Sequence, residues 1–187
     1  MAMLLIIGGA ARTGKSIIAR RLLPEMHLPY LSLDILKMGL VNGVPEFGID
    51  PNAGSIVVAE KLWPLVRAMA INMAETGVPY IIESEVLPKQ VHTLARHVKV
   101  DIKACFLGYR EIEPMQKLRE IRAYSGHPND YVTSYADAAV LALVNQMIAF
   151  SHYLYDECMR LGLPYFDTSH NFLQTLEQVM DYCRGGN

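Results

Sequence analysis

The chain has 187 residues, 51% of them hydrophobic and 19% charged, with a formal net charge of −2 at pH 7. That length accommodates one well-buried core and makes a single domain, 1–187, the default. The near-neutral balance leaves no electrostatic footprint for nucleic acid or an anionic membrane, so an anionic ligand must be held by local positive charge.

Short apolar runs alternate with longer helical patterns, the sign of βαβ units and a parallel sheet. Residues 3–7, all apolar, read as a first strand buried on both faces. The same start lacks the basic region and cleavage site of a signal peptide. A helix is expected over 15–23, stopped by Pro24, then a second strand over 28–33 and a short helix from Asp34. The Gly, Pro and Asn of 41–54 predict a loop. A long helix follows over 55–75, kinked or divided at Pro64.

"VPYII" (78–82) reads as the third strand. Pro88 opens a helix with Val91, Leu94, Ala95 and Val98 on one face. The fourth strand is "VDIKACFLGY" (100–109), followed by a charged helix over 111–123 and a polar loop over 124–134. A long apolar helix over 135–161 carries the core stripe Ala139, Val140, Leu143, Val144, Met147 and Leu154. "LPYFD" (163–167) is a fifth strand and 171–183 a last helix. The expected fold class is a three-layer α/β domain.

No stretch is read as a membrane-spanning helix free of charge and proline. Cys105, Cys158 and Cys183 lie far apart without metal-ligand spacing, which suits a reducing cytoplasm. The six histidines show no ligand spacing, and only His127, in the polar loop, stands near candidate chemistry.

"GGAARTGKS" fits G-x-x-x-x-G-K-[ST] with Gly9, Gly14, Lys15 and Ser16, between a strand and a helix. Glycines let such a loop curl until its backbone N–H groups converge on phosphate oxygens, and the helix start adds its positive dipole end. Lys15 supplies a mobile charge for the β- and γ-phosphates, and Ser16 a hydroxyl for Mg²⁺. Gly9, Ala10, Ala11, Arg12, Thr13, Gly14, Lys15 and Ser16 are therefore the expected ATP-binding residues. The chain has neither the N/T-K-x-D of a GTPase nor an LSGGQ-like segment. A Walker B strand is missing too, its nearest substitute being "YIIESE" with Glu83 at the strand end. Glu83 and Glu85 fall on one face if the strand continues, placed to hold Mg²⁺ through water or to bind acceptor hydroxyls.

With these residues the sequence resembles the small P-loop kinases, a group that includes adenylate, shikimate and gluconate kinases and chloramphenicol phosphotransferase. The resemblance covers most of the chain. It rests on the phosphate loop, an Asp after the second strand, an acidic residue ending the third, a basic helix after the fourth and a short fifth strand. It implies a parallel sheet ordered 2-3-1-4-5, an acceptor region over about 36–76 and a basic lid over about 111–134. It also implies that Asp34 engages the acceptor hydroxyl, an alternative being that Asp34 caps the helix it opens.

Nucleotide kinases carry an Arg three residues beyond that Asp, where this chain has Lys37. Where they read Asp-Gly-φ-Pro-Arg, this chain has Glu83, Ser84 and, nearest the arginine, Lys89. "IIESEVLP" is more similar to the 2-phosphoglycerate kinase-like members. Arg12 stands where the loop's usual middle glycine would be. Arg119 and Arg122, three apart on one helix face, match the lid cations, with Lys117 behind them. "DTS" (167–169) falls where related kinases bring backbone near adenine, and capping of the following helix explains it equally well.

The resulting expectation is a cytoplasmic, ATP- and Mg²⁺-dependent kinase of a small-molecule hydroxyl, monomer or homodimer, without nucleic-acid or membrane partners. Catalytic roles fall to Lys15, Asp34, Arg119 and Arg122, and acceptor binding to Asp34, Lys37, Glu83 and Glu85. The alternatives are a nucleoside or nucleotide kinase using Lys37 and Lys89, and an ATP-binding regulator that is not an enzyme.

Overall fold

The computed structural model describes residues 3–124 and 130–185. Five parallel strands form one sheet in the order β2-β3-β1-β4-β5. They are β1 Met3–Gly9, β2 Tyr30–Ser32, β3 Tyr80–Ser84, β4 Asp101–Gly108 and β5 Tyr165–Asp167. Among the described residues seven helices connect and cover them: α1 Lys15–Met26, α2 Leu33–Gly43, α3 Ser55–Thr76, α4 Pro88–Ala95, α5 Pro114–Tyr124, α6 Asp137–Leu161 and α7 Phe172–Arg184. This is the three-layer α/β architecture that the sequence pattern predicts, in the strand order that the resemblance implies.

Both faces of the sheet are covered, which is why β1 and β4 are apolar without alternation. On one face Leu5, Ile7, Ile81 and Leu107 pack against Ile18 and Leu22 of α1 and Leu176 and Val179 of α7. On the other, Leu4, Ile6, Ile82 and Phe106 meet Leu62 and Val66 of α3, Val91 and Leu94 of α4 and Leu154 of α6. A smaller core of Leu118, Ile121, Val140 and Val144 joins α5 to α6.

Several boundaries differ from the sequence reading. Helix α1 continues past Pro24 to Met26, and α3 runs unbroken through Pro64. Both prolines are exposed, so the carbonyl each one orphans a turn earlier is left to water. Helix α2 extends to Gly43, and a 3₁₀ turn, Pro45–Phe47, occupies part of the expected loop. Ala95 faces outward rather than sharing the buried stripe of Val91 and Leu94. Residues 138–155 of α6 carry neither charge nor proline, contrary to the reading that no such stretch exists. By length and composition α6 could cross a membrane, and its Val140, Val144, Phe150, Leu154 and Cys158 are buried in this domain. Cys105 and Cys183, 78 residues apart in the chain, share the core between β4 and α7.

The order 2-3-1-4-5 has its switch point at β1. The chain leaving β1 runs to α1 on one face, while those leaving β3 and β4 run to α4 and α6 on the other, opening a crevice at the carboxyl ends of β1, β3 and β4. Residues 10–14, Glu83–Glu85 and the start of α2 all meet there.

Candidate active site

The loop between β1 and α1 is wedged against β4. A Cβ added to Gly9, whose φ is +143°, would lie 2.2 Å from the Leu107 carbonyl oxygen. The next residue ties down the same contact, Ala10 N–H donating to that oxygen at 2.9 Å. Gly9→Ala should therefore cost about 3 kcal/mol or more, since backbone rather than a movable side chain blocks the methyl. Thermal melting checks this; an unchanged Tm would contradict the close packing of β1 on β4.

Arg12 (φ +65°) and Gly14 (φ +88°) turn the loop through left-handed conformations. Such alternation aims successive N–H groups into one concavity. No side-chain cap covers the start of α1, leaving its first-turn donors to a ligand. Lys15 is only 6% exposed, and its Nζ donates to the Ala10 carbonyl at 2.7 Å. Thr13 Oγ1 donates to the same carbonyl at 2.9 Å, closing the loop on itself.

Glu83 is the hub. The β1–β3 register sets it beside Ile7, and the β2–β3 register beside Ser32. Buried at 3% exposure, it lies 3.8 Å from Lys15 Nζ and accepts hydrogen bonds from Ser16 Oγ at 3.2 Å and Tyr30 OH at 3.1 Å. Burial and the Glu83 charge both push the Tyr30 phenol above its ordinary value, so it remains a donor. Tyr30 escapes sequence reasoning because its partner is 53 residues away and no motif marks it. A hydroxyl and a carboxylate side by side are hard oxygen donors of the kind Mg²⁺ takes. Among the described residues no group of three or more His, Cys, Asp or Glu forms a metal cage.

Beyond Glu83 the chain passes directly into a second cleft. Leu33, Asp34 and Lys37 of α2 form one wall and Val58, Leu62, Trp63 and Val66 of α3 another, with Ser84, Glu85 and Val86 at the base. Asp34, in the first turn of α2, is exposed and paired with Lys37 at 2.8 Å. Glu85 is half-buried. Lys89 does not line the cleft and pairs with Glu60 on the surface at 2.8 Å. The free volume is about 10 Å³, room for one water, so a larger occupant requires α2 and α3 to separate.

The cations from α5 are arranged otherwise than the sequence suggests. Arg119 is exposed and makes no hydrogen bond or ion pair among the described residues. Arg122 binds the Asp137 carboxylate at 2.9 Å and the Val132 carbonyl at 2.9 Å, pinning the chain that leads into α6. Arg12 forms a two-pronged pair with Asp130, joining the phosphate loop to that same segment. Lys117, which the sequence places behind the two arginines, is the buried cation. Its Nζ lies 4.5 Å from the Tyr109 ring centroid and 5.9 Å from that of Phe172. Phe172 itself packs beside Gly14. Burial pulls the Lys117 pKa down against the pull of Glu120, and the nearby Arg12 lowers it further. Its signal in the sequence is its place one turn inside α5, on the side shared with Leu118 and Ile121. His127 lies outside the described residues.

The "DTS" segment stitches β5 to β4. Thr168 N–H donates to the Gly108 carbonyl at 2.7 Å, and Asp167 accepts from Ser169 N–H at 2.9 Å. The residue preceding α7 is Asn171, in a left-handed conformation, rather than any of these three.

No protein-family model and no curated protein matches the sequence. Solved structures do. A gluconokinase from Sinorhizobium meliloti aligns over 96% of this chain and 90% of its own, with TM-score 0.61 and 14% identity. A shikimate kinase from Bacteroides thetaiotaomicron aligns over 97% and 98%, with TM-score 0.59 and 13% identity. A sugar kinase from Janibacter aligns over 98% and 95%, with TM-score 0.55 and 16% identity. The chain has the fold of the small P-loop kinases.

Proposed function

We propose that the protein transfers the γ-phosphoryl group of ATP to a hydroxyl of a small molecule. The observation that carries this reading is the end of β3. Glu83 belongs to the Lys15–Ser16 cluster, while the next two residues, Ser84 and Glu85, floor the cleft that Asp34 borders. A phosphate-binding loop and a cleft that admits an acceptor once α2 and α3 separate are thus contiguous, as phosphoryl transfer requires.

The acceptor oxygen attacks the γ-phosphorus, the bond from that phosphorus to the β–γ bridging oxygen breaks, and ADP leaves. Asp34 orients the hydroxyl and takes its proton. Lys15 releases the Ala10 carbonyl to neutralise charge on the transferred group, and Lys117 adds a second buried cation on the α5 side. Ser16, with Glu83 behind it, would hold a Mg²⁺ ion, whose chemistry there would be charge neutralisation of the nucleotide phosphates. The acceptor region 36–76 and the lid 111–134 retain these roles in the proposal. The nucleotide-kinase alternative needs a free cation for an acceptor phosphate, and Lys37 and Lys89 are each paired with a carboxylate.

The test is ADP formation by the purified protein with ATP, Mg²⁺ and pooled hydroxyl acceptors. Acceptor-dependent ADP supports the reading; ATP binding with no turnover on any acceptor supports a regulatory switch instead.

The Arg12–Asp130 pair belongs to the same proposal, as the tie that brings the segment before α6 onto the phosphate loop. Arg12→Ala and Asp130→Ala should each raise KM for ATP about tenfold, and the double variant no further, because both remove one interaction. Additive losses in that cycle would show the two side chains acting separately.

A further inference from the structure

The cleft beside Asp34 also indicates what it accepts, given the kinase reading above. Its walls are apolar: Leu62, Trp63 and Val66 from α3, with Leu33 and Val86 at the strand ends. Its charged groups are Asp34, Glu85 and Lys37, and no arginine lines it. Lys37 lies 2.8 Å from the Asp34 carboxylate, so its charge is offset within the cleft. Glu85 is half-buried and has no hydrogen bond or ion pair among the described residues. Glu85 thus presents a carboxylate to the cleft that no cation among the described residues pairs with, Lys37 being bound to Asp34.

We infer that the acceptor is a ring-bearing amino alcohol. With α2 and α3 separated to admit it, its ring lies against Trp63 and the aliphatic wall, its protonated amine meets Glu85, and its hydroxyl meets Asp34. An anionic hydroxy acid is disfavoured twice over, by Glu85 and by the absence of an arginine that would grip a carboxylate in two places. In the transfer itself the hydroxyl oxygen forms the bond to the γ-phosphorus, the bond to ADP breaks, and the hydroxyl proton passes to Asp34. The amine is not consumed.

Trp63 is the single tryptophan of the chain, so its fluorescence reports on this cleft whether or not turnover occurs. Three probes share one phenyl carbinol and differ in charge: 2-amino-1-phenylethanol, 1-phenylethane-1,2-diol and mandelate. Titrated into the full chain with ATP and Mg²⁺, they should bind in that order, the amine about tenfold or more tighter than mandelate. Glu85→Gln should remove most of the amine's advantage over the diol while leaving the diol's affinity within about twofold. Mandelate binding as tightly as the amine, an amine preference untouched by Glu85→Gln, or no response to any probe would each overturn the assignment. Amine binding without ADP formation would uphold the cleft chemistry and count against the kinase reading, which separates the two failures.

Discussion

Lys15→Ala is expected to lower kcat by about a thousandfold or more while the protein stays folded. The catalytic part follows from what phosphoryl transfer asks of a protein, which is positioning and charge neutralisation rather than covalent chemistry. Lys15 is the buried cation rooted in the phosphate loop, and its Nζ is within 3.8 Å of Glu83. Removing it deprives the β- and γ-phosphates of their fixed counter-charge and leaves Glu83 facing them. The structural part follows from what remains. Glu83 keeps its hydrogen bonds from Ser16 and Tyr30, and the Ala10 carbonyl keeps Thr13. A loss of about 2 kcal/mol is the scale for one removed buried donor, against a total stability of about 5–15 kcal/mol. Circular dichroism should show an unchanged helical spectrum and a modestly lowered Tm. Full turnover in this variant would remove the phosphate loop from the chemistry.

Asp34→Asn is expected to separate kcat from ATP binding. An amide can still accept a hydrogen bond from the acceptor or from Lys37, but it cannot take a proton at neutral pH. General-base participation contributes about a hundredfold to ten-thousandfold, so kcat should fall within that range. The KM for ATP should stay within about threefold, because none of Asp34's contacts lies in the phosphate loop. As an acidic group in the first turn of α2, Asp34 also interacts with the helix dipole, worth about 0.3–1 kcal/mol. A melting-temperature shift of a few degrees is compatible with both roles; equal losses in kcat and ATP affinity would leave only the structural one.

The phosphate loop was legible because its chemistry is local: nine consecutive residues carry the glycines, the cation and the hydroxyl. The strand sequence was legible because buried parallel strands leave unbroken apolar runs. Glu83 stood out as the acidic residue ending one of those runs. Less legible was anything that depends on two distant segments meeting. Tyr30 reaches Glu83 across 53 residues, and Arg12 reaches Asp130 across 118. The sequence places Lys117 behind Arg119 and Arg122, since a charged helix gives no sign of which charge turns inward. The structure buries the lysine among aromatic rings, leaves Arg119 exposed and ties Arg122 to the chain entering α6. Pro24 and Pro64 leave their helices unbroken because an orphaned carbonyl on the solvent side costs little. The cleft's character was the hardest to foresee. Leu33, Trp63 and Glu85 are ordinary residues on three elements, and only the fold makes them one surface.

The central claim is that ATP's terminal phosphoryl group ends on an acceptor hydroxyl at this site. ³¹P NMR of the wild-type protein with ATP, Mg²⁺ and 2-amino-1-phenylethanol tests it most directly, because the product is seen as well as ADP. The account predicts a new phosphomonoester resonance growing one-for-one with ADP, absent without the acceptor and absent with Lys15→Ala. Inorganic phosphate released at the same rate with or without any acceptor, or ATP bound and left intact across an acceptor screen, would contradict it.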